Sequence, residues 1–206
     1  MLTINSFVVP SDAQWDMVIN GMRNPLNSWD RKDSDGANLG LNDKNLMIRL
    51  IHAGNEHRKF LRQLPVIVSV TAPLYLWKEL DTYKVGTVSN SCSTMHKITA
   101  KKFEWSDFST EHLLYEEGMQ AVMAETINIL NQCRKLYLKT KSKDWWWQII
   151  QLLPSSYNQT RTLSLNYEIL GSIYRQRKGH KLDEWQTFRE WMETLPNAFL
   201  ITEGDS

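Results

Sequence analysis

Asn166, Leu170, Ile173 and Arg177 recur at i, i+4, i+7 and i+11, a spacing that predicts one face of one helix. At the helical rise per residue, the amide and the guanidinium stand roughly 16 Å apart along that face. Groups of these types, so separated, suit the two ends of an extended, phosphate-bearing ligand. The same spacing also fits two surface groups at the rim of an apolar stripe. A second candidate is GTVSNSCSTMHK, Gly86 to Lys97. Its Ser89, Asn90, Ser91, Ser93 and Thr94 suit phosphate or nucleotide oxygens, alongside free backbone amides. They serve equally well as caps and turns. Cys92 and His96 lie in the same stretch, and a Cys–His pair can form a thiolate nucleophile, although no third orienting group is evident. A third candidate is NPLNSWDRKDSDGANLG, dense in Asn, Asp, Ser and Gly. It reads as a loop long enough to carry function, with Arg23, Ser28 and Arg31 as its possible anion contacts.

Several elements must position these residues. The chain reads as irregular roughly to Leu41, apart from a short helix over Ala13 to Met22 capped by Ser11 or Asp12. Leu46, Arg49, Leu50 and Ala53 predict a helix over Asn45 to Ala53, broken by Gly54-Asn55. Val66 to Thr71, VIVSVT, is the clearest strand, ended by Pro73. Leu74 to Val85 carries helical spacing and Gly86 closes it. Thr110 to Leu138 predicts the longest helix, with Leu113, Met119, Val122, Met123, Ile127, Leu130, Cys133 and Tyr137 as its core stripe and Cys133 as a small apolar filler. Trp145-Trp146-Trp147 opens a helix that Leu153-Pro154 stops. The helix pattern bearing Asn166 and Arg177 follows. LDEWQTFREWMETLP then places Trp185, Phe188, Trp191 and Met192 on one face, and Thr202 to Ser206 read as frayed.

Composition narrows the function classes. At 206 residues the chain can build one substantial core. Its formal charge is +1 and its charges are interspersed, which argues against an electrostatically driven binder of nucleic-acid polymers. No apolar run reaches membrane-spanning length, and the N-terminus lacks a basic segment followed by a long apolar one, so a soluble, cytoplasmic protein is expected. Two cysteines form neither a disulfide framework nor a zinc pattern, and no metal site is expected. The nine tryptophans mark buried aromatic surface or faces that meet other subunits.

In order and spacing, the pieces resemble the flavin-dependent thymidylate synthases over about Leu46 to Met192. In that family a Leu-Pro precedes a Thr-rich segment, an Asn on a helix and an Arg eleven residues later. Here Leu153-Pro154, Thr160, Asn166 and Arg177 fall in that register, with Glu184 at the place of a later Glu. Upstream, Glu56-His57 ahead of VIVSVTAP is similar to the family's Glu-His before a strand ending in Pro. Asn90 and Ser93 fit the end of its signature loop. Three places depart from the pattern. Tyr83-Lys84-Val85 stands for the family's Arg-His-Arg, Ser91 for an acidic residue, and Met95-His96 for Arg-Tyr.

The resemblance implies an α+β fold, an antiparallel sheet packed with long helices, forming a single domain over residues 1–206 and a homotetramer with sites at subunit interfaces. It implies methylation of dUMP to dTMP with FAD as cofactor and methylene-tetrahydrofolate and NADPH as co-substrates, and no enzyme cysteine attacking the pyrimidine. Arg177, His57 and Ser93 would be catalytic. His57, Lys84, Asn90 and Asn166 would bind the cofactor. Ser91, Ser93, His96 and Arg177 would bind the nucleotide, with Ser93 at its phosphate and Arg177 at the uracil ring. Lys84 would replace one lost cation and His96 the lost tyrosine donor. The departures leave two alternatives. One is a degenerate nucleotide-binding or assembly protein without flavin chemistry. The other is an enzyme acting on another pyrimidine nucleotide such as dCMP.

Overall fold

The structure, a computed structural model, describes residues 1–116 and 118–203. Four strands, β1 (Thr3–Val8), β2 (Pro65–Pro73), β3 (Val88–Ser91) and β4 (Asn158–Asn166), form an antiparallel sheet in the order β1-β2-β4-β3. The helices are α1 (Asp12–Arg23), α2 (Leu41–His52), α3 (Leu74–Leu80), α4 (Thr94–Lys97), α5 (Met119–Thr140), α6 (Lys143–Leu152), α7 (Tyr167–Gln176), α8 (Asp183–Glu193) and α9 (Phe199–Thr202). The fold is α+β, as the resemblance implies.

In β2 the alternation runs from Val66 to Ala72: Val66, Val68, Val70 and Ala72 are buried while Ile67 between them is exposed. Ser11 caps α1 through a capping box with Gln14. The predicted α2, α6 and α8 are all present, and α8 buries the four predicted aromatic and methionine residues.

The differences concern short or polar segments. The stretch before Asn166 is a strand, not a helix: β4 ends at Asn166 and α7 begins one residue later. Asn166 and Arg177 are therefore the two caps of α7 rather than members of one face. The expected irregular start contains β1, whose residues are mostly exposed and show no apolar alternation. The expected polar loop after Gly86 contains β3 and α4. The long helix starts at Met119 instead of Thr110, because Gly118 sits in the left-handed region at φ +72°. Leu113 thus lies outside α5, and Val122, at 65% exposure, lies off its buried face. Glu117, within the expected helix, lies outside the described residues, as do Gly204 to Ser206 of the expected frayed tail; α9 runs through Thr202.

By contacts the chain forms two compact units. The first comprises Met1–Thr3, Thr71–Thr82 and Asn90–Arg161. Its core joins Ile98, Phe103 and Phe108 to Met123, Leu130 and Cys133 of α5 and Ile149 of α6. Burial pushes the Cys133 thiol pKa up, which suits an inert filler. The second comprises Ile4–Val70, Tyr83–Ser89 and the chain from Thr162. Here Trp15 meets Tyr167 edge-to-face at 5.7 Å, and the Tyr167 hydroxyl donates to the Pro196 carbonyl at 2.6 Å. Burial pushes that phenol pKa up as well. No helix among the described residues is long and apolar enough to cross a membrane.

Candidate functional site

In the second unit, Arg177 is held at the end of α7. Its Nε donates to the Tyr83 hydroxyl at 2.9 Å, and that hydroxyl donates to Gln176 Oε1 at 3.1 Å. Its guanidinium carbon stands 4.5 Å from the centroid of the fully buried Trp185 ring and 5.4 Å from that of Tyr83. Tyr83 and Trp185 meet edge-to-face with centroids 6.2 Å apart, so the planar cation lies against two adjoining rings, which fixes its orientation. Glu184, beside Trp185, is buried in the first turn of α8.

Asn166 sits at the other end of α7. Its side chain accepts from the Ile169 amide at 3.1 Å. A backbone amide only donates, so the atom facing it is Oδ1 and Nδ2 remains a donor. The two roles separate by mutation. Asn166→Asp keeps the cap and should change stability by less than about 0.5 kcal/mol, while Asn166→Ala should cost about 1 kcal/mol. Both should weaken any ligand held by Nδ2. Thermal melts and ligand titrations of the two variants check this. Lys84 and Val85 are exposed, and Gly86, at φ +76°, turns the chain beside Ile169 and Asn166.

His57 follows a second required turn. Gly54, at φ +103°, adopts a backbone that side-chained residues rarely take, and its carbonyl accepts from the His57 and Arg58 amides at 3.0 and 3.2 Å. The exposed His57 lines a cavity of about 1570 Å³ together with Glu56, Arg49, Arg31 and Ser28. The N-terminal loop thus reaches the same cavity as the Glu-His pair. Arg23, expected as an anion contact, is instead consumed in the fold: it is buried and paired with Asp43. Arg31 makes no ion pair among the described residues.

The first unit holds Asn90, Ser91, Cys92, Ser93 and His96. Asn90 and Ser91 end β3 and are exposed. The Cys92 amide donates to the Thr160 carbonyl at 3.0 Å, and Gln159 Nε2 donates to the Cys92 carbonyl at 2.7 Å, so β4 fastens this segment from both sides. The Ser93 hydroxyl caps α4 by accepting from the His96 amide at 3.2 Å. Cys92 and Ser93 line a smaller cavity of about 330 Å³. The His96 imidazole is exposed, and among the described residues no hydrogen bond links it to Cys92. The Cys–His nucleophile therefore has no structural partner of its own. Among the described residues no group of three or more His, Cys, Asp or Glu is placed to hold a metal.

No protein-family model matches the chain, and no curated protein matches it. Solved structures do. Thymidylate synthase X from Helicobacter pylori, crystallised with FAD and dUMP, superposes with a TM-score of 0.69 over 100% of this chain and 98% of its own, at 19% identity. The chain has the fold of the flavin-dependent thymidylate synthases. A second Helicobacter pylori structure, again with FAD and dUMP, gives a TM-score of 0.66 at 19% identity over 98% of both chains. The UMP/dUMP methylase PolB from Streptomyces cacaoi, bound with 5-Br dUMP, gives 0.64 at 13% identity over 97% of this chain and 93% of its own.

Within this thymidylate synthase fold, sequence reasoning missed the role of Tyr83. It stands where the family carries an Arg, and it is the hydrogen-bond partner of Arg177, 94 residues away. Sequence reasoning also missed β4, although Thr160, Thr162, Leu163 and Leu165 carry the β-branched and alternating signal of a half-buried strand.

Proposed function

We propose that the protein is an FAD-dependent, thymidylate synthase-like methyltransferase that converts dUMP to dTMP, with methylene-tetrahydrofolate and NADPH as co-substrates. Arg177, packed against Tyr83 and Trp185, carries this reading. A guanidinium fork held beside a pyrimidine stabilises negative charge as it develops on the ring, and needs no reorganisation to do so. We place residues 1–206 as one domain of a cytoplasmic homotetramer.

The donor set fits a flavin dinucleotide. Flavin carbonyls and phosphates take N–H donors; His57, Lys84 and Asn90 are exposed donors, and Asn166 keeps Nδ2. The cavity beside His57 exceeds the roughly 300–1,000 Å³ of ordinary small-molecule pockets, as a dinucleotide requires. When bound, the reduced flavin supplies the hydride. Ser93 binds the nucleotide phosphate, Ser91 and His96 donate to the nucleotide, and His57 contacts the flavin or the methylene carrier.

Three observations bear on narrower readings. The Tyr83 hydroxyl is spent on Arg177 and Gln176, and Lys84, at the place of the family's His, is a point charge that cannot replace the planar forks lost at Tyr83 and Val85. Both favour a degenerate nucleotide-binding or assembly protein. The fold is shared with a UMP/dUMP methylase, so it accommodates more than one pyrimidine nucleotide, and an enzyme for a related one such as dCMP is the other reading.

The test is the visible absorption spectrum of the purified protein, alone and with FAD and dUMP. A bound flavin whose spectrum shifts on adding dUMP supports the enzyme. Nucleotide binding without flavin supports the degenerate binder. Binding of neither removes the functional reading and leaves the fold.

A further inference from the structure

The family's cations at the signature loop are absent from this chain, yet a nucleotide phosphate needs compensating charge. The smaller cavity of the first unit supplies it from elsewhere. Ser93, Thr94, Lys97, Lys101, Asp107 and Thr160 are among its lining residues. Lys97 lies four residues after Ser93, and its amide donates to the Ser93 carbonyl at 3.2 Å. That separation is one helical turn, which puts both side chains on one side of the segment.

The charges in this cavity are unequal. Lys101 is paired with Asp107, whose carboxylate also accepts from the Glu104 amide at 3.0 Å. Lys97 makes no ion pair or side-chain hydrogen bond among the described residues, so one positive charge is left uncompensated. Around it, hydroxyls from Ser93, Thr94 and Thr160 offer further donors. The wall is rigid: Thr71 and Thr160 share a hydroxyl hydrogen bond of 2.8 Å, and the buried Gln159 fastens the Cys92 carbonyl. At about 330 Å³ the cavity is at the small end of ligand pockets. That size suits a phosphate group and its ester linkage, not a dinucleotide.

We propose that this cavity receives the phosphate monoester of the nucleotide and that Lys97 is the cation selecting nucleotide over nucleoside. The inference rests on the proposed pyrimidine-nucleotide function and assigns to Lys97 a role the family's motif gives to other positions. The Coulombic part of this selection is screened by salt, so the preference for nucleotide narrows as ionic strength rises.

Calorimetric titration of the whole protein with dUMP and with deoxyuridine tests the proposal. The wild type should bind dUMP at least tenfold more tightly than deoxyuridine, the scale of a charge-assisted hydrogen bond. Lys97→Gln should reduce that preference to about threefold or less and leave deoxyuridine affinity unchanged. Lys102→Gln, at an exposed lysine outside the cavity lining, should change neither. Lys97 is exposed, so its variant should melt like the wild type. A Lys97→Gln protein that keeps the wild-type preference for dUMP overturns the proposal. If the wild type binds neither pyrimidine, the functional reading fails separately, and inorganic phosphate becomes the probe. Phosphate binding that Lys97→Gln abolishes upholds the anion site; its absence in the wild type overturns it.

Discussion

Asp43→Ala lowers unfolding stability by about 3–5 kcal/mol, read as a reduced midpoint in a urea titration with an unchanged slope. Asp43 is fully buried and its partner Arg23 is 3% exposed. One carboxylate oxygen accepts from Arg23 Nε at 2.6 Å. The other accepts from the Asp33 and Ser34 amides at 3.0 Å each and from the Ser34 hydroxyl at 2.7 Å. Truncation leaves a buried guanidinium uncompensated and three donors without their acceptor. The guanidinium also donates to the Ser28 carbonyl at 3.1 Å, so the loop that lines the His57 cavity loosens with it. Replacing both partners with apolar residues, Asp43→Leu with Arg23→Met, should cost less than Asp43→Ala alone, because no buried charge remains.

The pH dependence follows from the same interactions. Burial alone would push the Asp43 carboxyl up. The Ser34 hydroxyl, the Asp33 amide and the Arg23 guanidinium outweigh it and hold the carboxyl below its ordinary value. A carboxyl with a lower pKa folded than unfolded stabilises the native state above the unfolded value, about 3.9, and that stabilisation disappears as pH falls through the folded value. The stability gap between wild type and Asp43→Ala should therefore be constant at neutral pH and shrink below about pH 4. A gap independent of pH down to acid unfolding would show that Asp43 contributes volume and not charge.

On the proposed function, Arg177→Ala should lower dUMP turnover by about 10²–10³-fold, the range for removing one preorganised group that stabilises developing charge. The fold should survive. Among its contacts, the truncation removes the hydrogen bond to Tyr83 and the stacking on Trp185 and Tyr83, a part worth about 1–3 kcal/mol. Arg177→Lys keeps the charge and loses the planar fork, so its turnover should fall between the two. Steady-state kinetics and a dUMP titration decide the matter. A wild-type dissociation constant and rate in Arg177→Ala would remove Arg177 from the site and leave it as a structural cap of α7.

Tyr83 touches the same residue and illustrates why tertiary context matters. The tyrosine occupies a place where the family pattern calls for an arginine, so from sequence it reads as a loss. In the folded chain its hydroxyl orients Arg177.

Local chemistry is legible from the residues themselves. Ser11 and Gln14 announce the start of α1, the valines of β2 announce a half-buried strand, and the aromatic spacing of α8 announces its buried face; each signal lies within a few neighbouring residues. The order of these motifs along the chain also suffices to suggest the family fold. Long-range packing decides the rest. The nine-residue β4 carries a strand signal in its own residues, but the helical spacing that begins at Asn166 competes with it until neighbouring strands satisfy its backbone. Arg23 reads as a free loop cation until α2 brings Asp43 to it, 20 residues on. Ser93, Lys97 and Thr160 share one cavity wall only because β4 fastens Cys92. Short-range periodicity specifies elements; the hydrogen bonds and charges that make a site join residues whose proximity only the packed chain creates.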